Sequence, residues 1–210
     1  MGNLEMNVKY VHPITGYFEI NNGKSTYLLI DKLSHSMYRE KLSEFYEKEK
    51  QKGNPIPADS RQTFQIMRDA RKLNNSSLKN FLYESLSGGD ILTLSRIVYN
   101  EEGDKILHKY NTSDEFCIEG KFSGRDFWVK NIADKNLLKA LLDTDNIENI
   151  NAIAQYLRKK DFRVWRRFKE DQTPNVERSC VFYANVNEFG LGLINERPDH
   201  RCAFLIQQIK

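Results

Sequence analysis

Tyr17-Phe18-Glu19-Ile20-Asn21-Asn22-Gly23-Lys24-Ser25-Thr26-Tyr27-Leu28-Leu29-Ile30 sets two strand-like runs around an Asn-Gly pair. Asn-Gly tolerates positive φ at both central positions of a type I′ turn, so the stretch reads as a two-residue β-hairpin. That register places Ile20 opposite Ser25 and Phe18 opposite Tyr27. Gly23-Lys24-Ser25-Thr26 also looks like the end of a phosphate-binding loop. Phe18 stands where the leading Gly belongs, and a strand follows instead of a helix, so the hairpin reading is preferred.

Helical periodicity takes over downstream. Residues 34–52 carry Tyr38, Leu42, Phe45 and Tyr46 on one stripe, and Gly53, Pro55 and Pro57 end the helix. Glu47-Lys48-Glu49-Lys50 reads as its solvated face. Asp59 with Gln62 forms a capping box for a second helix bearing Phe64, Met67 and Ala70. A third helix starts at Ser76 or Ser77, is lined by Leu78, Phe81, Leu82 and Leu86, and stops at Gly88-Gly89.

Residues 90–132 then read as an antiparallel meander. Its strands are Ile91–Tyr99, Lys105–Tyr110, and a hairpin of Phe116–Phe122 with Phe127–Ile132 around Gly124-Arg125. Two helices follow. One holds Leu137, Leu138, Leu141 and Leu142. The other opens with an Asp145/Glu148 box and repeats Ile147, Ile150, Ala154 and Leu157. Strands return near 162–168, 178–186, 189–194 and 202–209. Runs of strands and runs of helices, without strict alternation, predict an α+β fold: antiparallel meander sheets with helices inserted between strand runs. Gly88-Gly89 is the candidate boundary between a hairpin-and-three-helix lobe (1–88) and a lobe of meander, two helices and C-terminal strands (89–210). The two lobes are compatible with a shared core.

Composition fits this globular reading. Of 210 residues, 40% are hydrophobic and 29% charged, and twelve Phe, ten Tyr and two Trp supply core bulk. No apolar run approaches the roughly 18 residues of a membrane helix, and the N-terminal stretch MGNLEMNVKY has no signal-peptide h-region. Three widely spaced cysteines, Cys117, Cys180 and Cys202, fit a reducing compartment, so a cytoplasmic location is expected. The four histidines are scattered and no C-x-x-C occurs, so neither a metal nor a cofactor is expected.

Three constellations can be weighed for chemistry. Asp104 with Glu119-Gly120-Lys121 has the acid…Glu-x-Lys pattern of magnesium-dependent nucleases, in which carboxylates hold metal and the lysine orients water. Turn chemistry offers a simpler account. Around Gly124-Arg125, Phe122 opposes Phe127, Lys121 opposes Trp128 and Glu119 opposes Lys130, giving an ion pair and a cation–π contact on a polar face. In the C-terminal strands, Cys180, Cys202 and His200 are candidates for a thiol site. Cys180 alternates with Phe182, Ala184 and Val186, which reads as a buried structural cysteine. Gly190-Leu191-Gly192 reads as a glycine-kinked strand, not a dinucleotide loop.

The last constellation is Arg158-Lys159-Lys160-Asp161-Phe162-Arg163-Val164-Trp165-Arg166-Arg167-Phe168-Lys169. Seven basic residues and one acid give this segment +6, while the whole chain is +3, so the remainder is net −3. On a strand, Arg163, Trp165, Arg167 and Lys169 share one face. Basic side chains interleaved with an aromatic can pair phosphates and stack a base. The preferred reading is a nucleic-acid-associated binding protein using Arg158, Lys159, Lys160, Arg163, Trp165, Arg167 and Lys169. The alternatives are an interaction or regulatory module meeting an acidic protein partner, and the nuclease.

Overall fold

A computed structural model describes residues 6–11, 16–34, 39–99, 105–108, 115–117, 127–128, 135–166, 176–194 and 201–209. It has the α+β architecture expected, with two sheets that are mostly antiparallel and five helices among the described residues.

Strands β1 (Asn7–Val11), β2 (Tyr17–Asn21) and β3 (Thr26–Ile30) form an antiparallel meander. The β2–β3 register differs from the two-residue turn by two positions: Ile20 faces Tyr27 and Phe18 faces Leu29. The reason lies in the asparagines. Asn22 Oδ1 accepts from the N–H groups of Lys24 and Ser25, Asn21 Oδ1 accepts from Gly23 N–H, and Asn22 N–H reaches the Ser25 carbonyl. These bonds stabilise a four-residue loop, 22–25, over the tight turn. A slip of two preserves side-chain parity, so Phe18, Ile20, Tyr27 and Leu29 all still point into the core. Each contributes about 1.5–3 kcal/mol by burial.

Helix α1 (Arg39–Lys52) buries Leu42 and Tyr46, one turn apart. After β4 (Ile56–Pro57), α2 (Ser60–Leu73) carries the expected box: Asp59 accepts from Gln62 N–H while the Gln62 side chain accepts from Asp59 N–H. Phe64, Met67 and Ala70 are fully buried. Helix α3 (Ser76–Ser87) is capped by Asn75 and ends at Gly88. Strands β5 (Ile91–Tyr99), β6 (Lys105–Leu107) and β7 (Glu115–Cys117) form a second antiparallel meander in the other sheet. Strand β8 (Phe127–Trp128) pairs with β9 (Phe162–Arg166), Phe127 opposite Val164 and Trp128 opposite Arg163. The expected partners of Phe127 and Trp128, Phe122 and Lys121, lie outside the described residues, as does the Glu119–Lys130 pair.

Helix α4 (Lys135–Leu142) buries Leu137, Leu138, Leu141 and Leu142. Helix α5 (Ile147–Arg158) is capped by Asn146, whose Oδ1 accepts from Asn149 N–H, and not by Asp145. The Asn146 amide oxygen caps one residue later, and Glu148 sits in the first turn, where its charge is favourable to the helix dipole.

Strands β10 (Val176–Ala184), β11 (Phe189–Ile194) and β12 (Leu205–Gln208) complete the sheets. The smaller sheet runs β1-β2-β3-β12-β4 and the larger β7-β6-β5-β10-β11-β9-β8, with β9 and β11 parallel. Residues on β5 divide two ways. Ile91 and Ile97 join the main core with α2–α5, while Leu92 and Leu94 meet Leu42 and Tyr46 of α1 on the opposite face.

Candidate functional site

The C-terminal end of α5 is tied to α3 by two cation–aromatic contacts. Lys79 and Tyr83 lie one turn apart on α3, so they share a stripe beside the buried one formed by Leu78, Leu82 and Leu86. Lys79 Nζ sits 4.4 Å from the ring centre of Tyr156. Arg158 Cζ sits 4.4 Å above the ring of Tyr83, and its Nη1 donates to Ser87 Oγ at 2.5 Å. The Tyr83 side of this seam is open, since Tyr83 is 48% exposed. Lys159 ends the helix in the left-handed conformation (φ 54°) and is exposed; Lys160 follows, half-buried.

Strand geometry then splits the basic segment. Asn151 Oδ1 accepts from Phe162 N–H and starts β9. Phe162 and Val164 turn into the core, so Arg163, between them, projects from the opposite face. There it makes a partly buried ion pair with Glu188, the two side chains being 22% and 27% exposed. Of Trp165, only the backbone pairing with Gly192 is described, and Arg167 and Lys169 lie outside the described residues. The structure therefore brings Arg158 to the α3–α5 seam, with Lys159 and Lys160 next in the chain, and pairs Arg163 with Glu188 on the opposite face of β9. Lys79 and Tyr83 were missed in the sequence because their i,i+4 spacing reads as an ordinary solvated helix face.

Gly190 and Gly192 lie within β11, parallel to β9. A Cβ on Gly190 would lie 1.8 Å from the Arg163 carbonyl oxygen, so the glycine permits close backbone approach, as a kinked strand requires. Gly23-Lys24-Ser25-Thr26 runs from the hairpin loop into β3, without a helix to present its amides to phosphate. Cys180 is fully buried and desolvation pushes its thiol pKa up, which makes it inert. Cys202 is partly exposed; His200 lies outside the described residues. So do Asp104, Glu119 and Lys121.

A buried polar network went unread in the sequence. Ser95 Oγ accepts from Ser60 N–H and lies 2.7 Å from His108 Nδ1, while Ser60 Oγ donates to the Leu141 carbonyl. Serine, histidine and a nearby acid, Asp59, resemble a nucleophilic set. All three are nearly inaccessible, however, and Ser95 is engaged at the N-terminus of α2, so the network is a structural brace. Its sequence signal is the pair of polar residues, Thr93 and Ser95, in the inward phase of β5.

Among the described residues, no group of three or more His, Cys, Asp and Glu is placed to hold a metal ion. No described helix is long and apolar enough to cross a membrane. No family model, curated protein or solved structure matches the chain.

Proposed function

We propose that the protein is a nucleic-acid-associated binding protein whose contact surface is the α3–α5 seam. The observation that carries this reading is the stack of Arg158 on the half-exposed ring of Tyr83, beside exposed Lys159. Lys79, Arg158, Lys159 and Lys160 supply phosphate contacts, and Tyr83 offers a π-face for a base. Ser87 and Tyr83 hold the guanidinium in place, so less side-chain entropy is lost on binding. Arg163 contributes little, because Glu188 already occupies it.

The test is a salt titration of binding to single- and double-stranded oligonucleotides. Wild-type affinity should fall steeply with salt, and the Lys79→Ala, Lys159→Ala double variant should lower the slope by about two units. Tyr83→Ala should weaken single-strand binding by about 1–3 kcal/mol with little change in slope. Binding weaker than about millimolar at low salt, below even ordinary non-specific binding, would remove the reading and put an acidic protein partner first.

A further inference from the structure

A concave site lies where the end of β3, the C-terminal end of α3, the start of β5 and residues 201–202 meet, lined by α3 residues other than Lys79 and Tyr83 of the seam. It is a cleft of about 560 Å³, within the size range of small-ligand sites. Phe81, Leu33 and Ile91 give it apolar wall, and Phe81 is itself braced by Phe18 and Phe204.

The polar lining is of both signs. Arg201 is 19% exposed and gives its Nε–H to Asp90 at 3.1 Å. Neither of its Nη groups has a partner among the described residues. A mostly desolvated guanidinium with its forked end unpaired suits a carboxylate. Asp31 and Glu84 line the same cleft, and among the described residues Lys32 is its other cation. Among the described residues, three acids against two bases make the lining net negative by one, which disfavours a phosphate and favours a ligand that also carries an ammonium.

The geometry points to a binding site for a small zwitterion with an apolar side chain, an amino acid or short peptide. Its carboxylate meets Arg201, its ammonium meets Glu84 or Asp31, and its side chain lies on Phe81.

Cys202 supplies the reporter, because it lines the cleft and is partly exposed while Cys180 is buried. Alkylation of Cys202 by iodoacetamide, followed by peptide mass, reads occupancy directly, with Cys117 resolved separately. Leucine and dileucine are the probes, leucine amide lacks the carboxylate, and N-acetyl-leucine lacks the ammonium. Saturable protection by leucine or dileucine, lost with both blocked analogues, is expected, and the stronger of the two identifies ligand length. Arg201→Gln should weaken protection about tenfold or more, and Glu84→Gln, at an exposed position that leaves the fold intact, should weaken amine recognition. Absence of saturable protection in the wild type, or equal protection by both blocked analogues, would overturn the assignment. Nucleic-acid binding at the seam is independent of either result.

Discussion

His108 is wholly buried, and Ser95 Oγ lies 2.7 Å from its Nδ1. Ser95 Oγ also accepts from Ser60 N–H, and its hydroxyl can either donate to Nδ1 or accept from it according to the ring tautomer. Desolvation is the largest influence and pulls the pKa down to about 4, against the opposing fields of Asp59 and Asp143 and a hydrogen bond with the Ala140 backbone. Arg61 pulls the same way as burial. The sign of the linkage follows. Above the ordinary value of 6.5 the ring is neutral in both states, so stability does not depend on it. Between 6.5 and about 4 the unfolded chain takes a proton that the folded chain refuses, and stability falls with pH. The loss totals roughly 3 kcal/mol. Urea unfolding at a series of pH values should show this slope in wild type and a flatter one in His108→Gln. An equal slope in both would assign the acid sensitivity to other groups. Residues that bond to near neighbours, such as Asp59 with Gln62, were legible in the sequence. Ser95 and His108 were not, because only the meander places them together.

Elements were legible where one periodicity dominates. Leu78 with Phe81, or Phe64 with Met67, identify their helices, since a strand would send residues three apart to opposite faces. Boundaries and registers were less so. The β2–β3 loop gained two residues through asparagine side chains, and the α5 cap moved from Asp145 to Asn146. Both shifts are decided by short-range hydrogen bonds worth about 1 kcal/mol each, too small to show in a hydrophobic pattern. The parallel β9–β11 pairing was not legible at all, because the two strands are distant in sequence and meet where both pack on α5. That pairing makes a firm prediction at Gly190. Alanine there would drive Cβ into the Arg163 carbonyl, which is backbone and cannot step aside. The cost should be about 3 kcal/mol or more, read as a lower urea midpoint with unchanged m-value. The neighbouring Arg163–Glu188 pair should be worth only about 1 kcal/mol in a double-mutant cycle, since both side chains keep some contact with water. A Gly190→Ala protein as stable as wild type would mean the two strands separate at no cost.

At the scale of the molecule, Gly88-Gly89 looks like a boundary in the sequence, yet the chain crosses it repeatedly in space. Strand β12, from the C-terminal end, sits between β3 and β4 and completes the smaller sheet. Helix α2 packs on α4 and α5, and Ser60 Oγ donates to the Leu141 carbonyl. Residues from Phe18 to Ile206 belong to one hydrophobic cluster. Severing the halves would expose side chains of this shared cluster, each worth about 1.5–3 kcal/mol by burial, and a few of them equal the net stability of a domain. The expectation is a single cooperative transition, and the sequence provides the probes to check it. Both tryptophans, Trp128 and Trp165, follow Gly89, so their fluorescence reports the C-terminal half, whereas far-ultraviolet circular dichroism reports helices on both sides. The two urea curves should superimpose. Ile206→Ala, which cuts a fully packed side chain out of the smaller sheet, should destabilise by about 2–5 kcal/mol and move both curves together. Fluorescence left behind while circular dichroism shifts would show two units that fold apart. The α3–α5 seam, built from helices on either side of Gly88-Gly89, would then have to assemble from separately folding parts before it could bind anything.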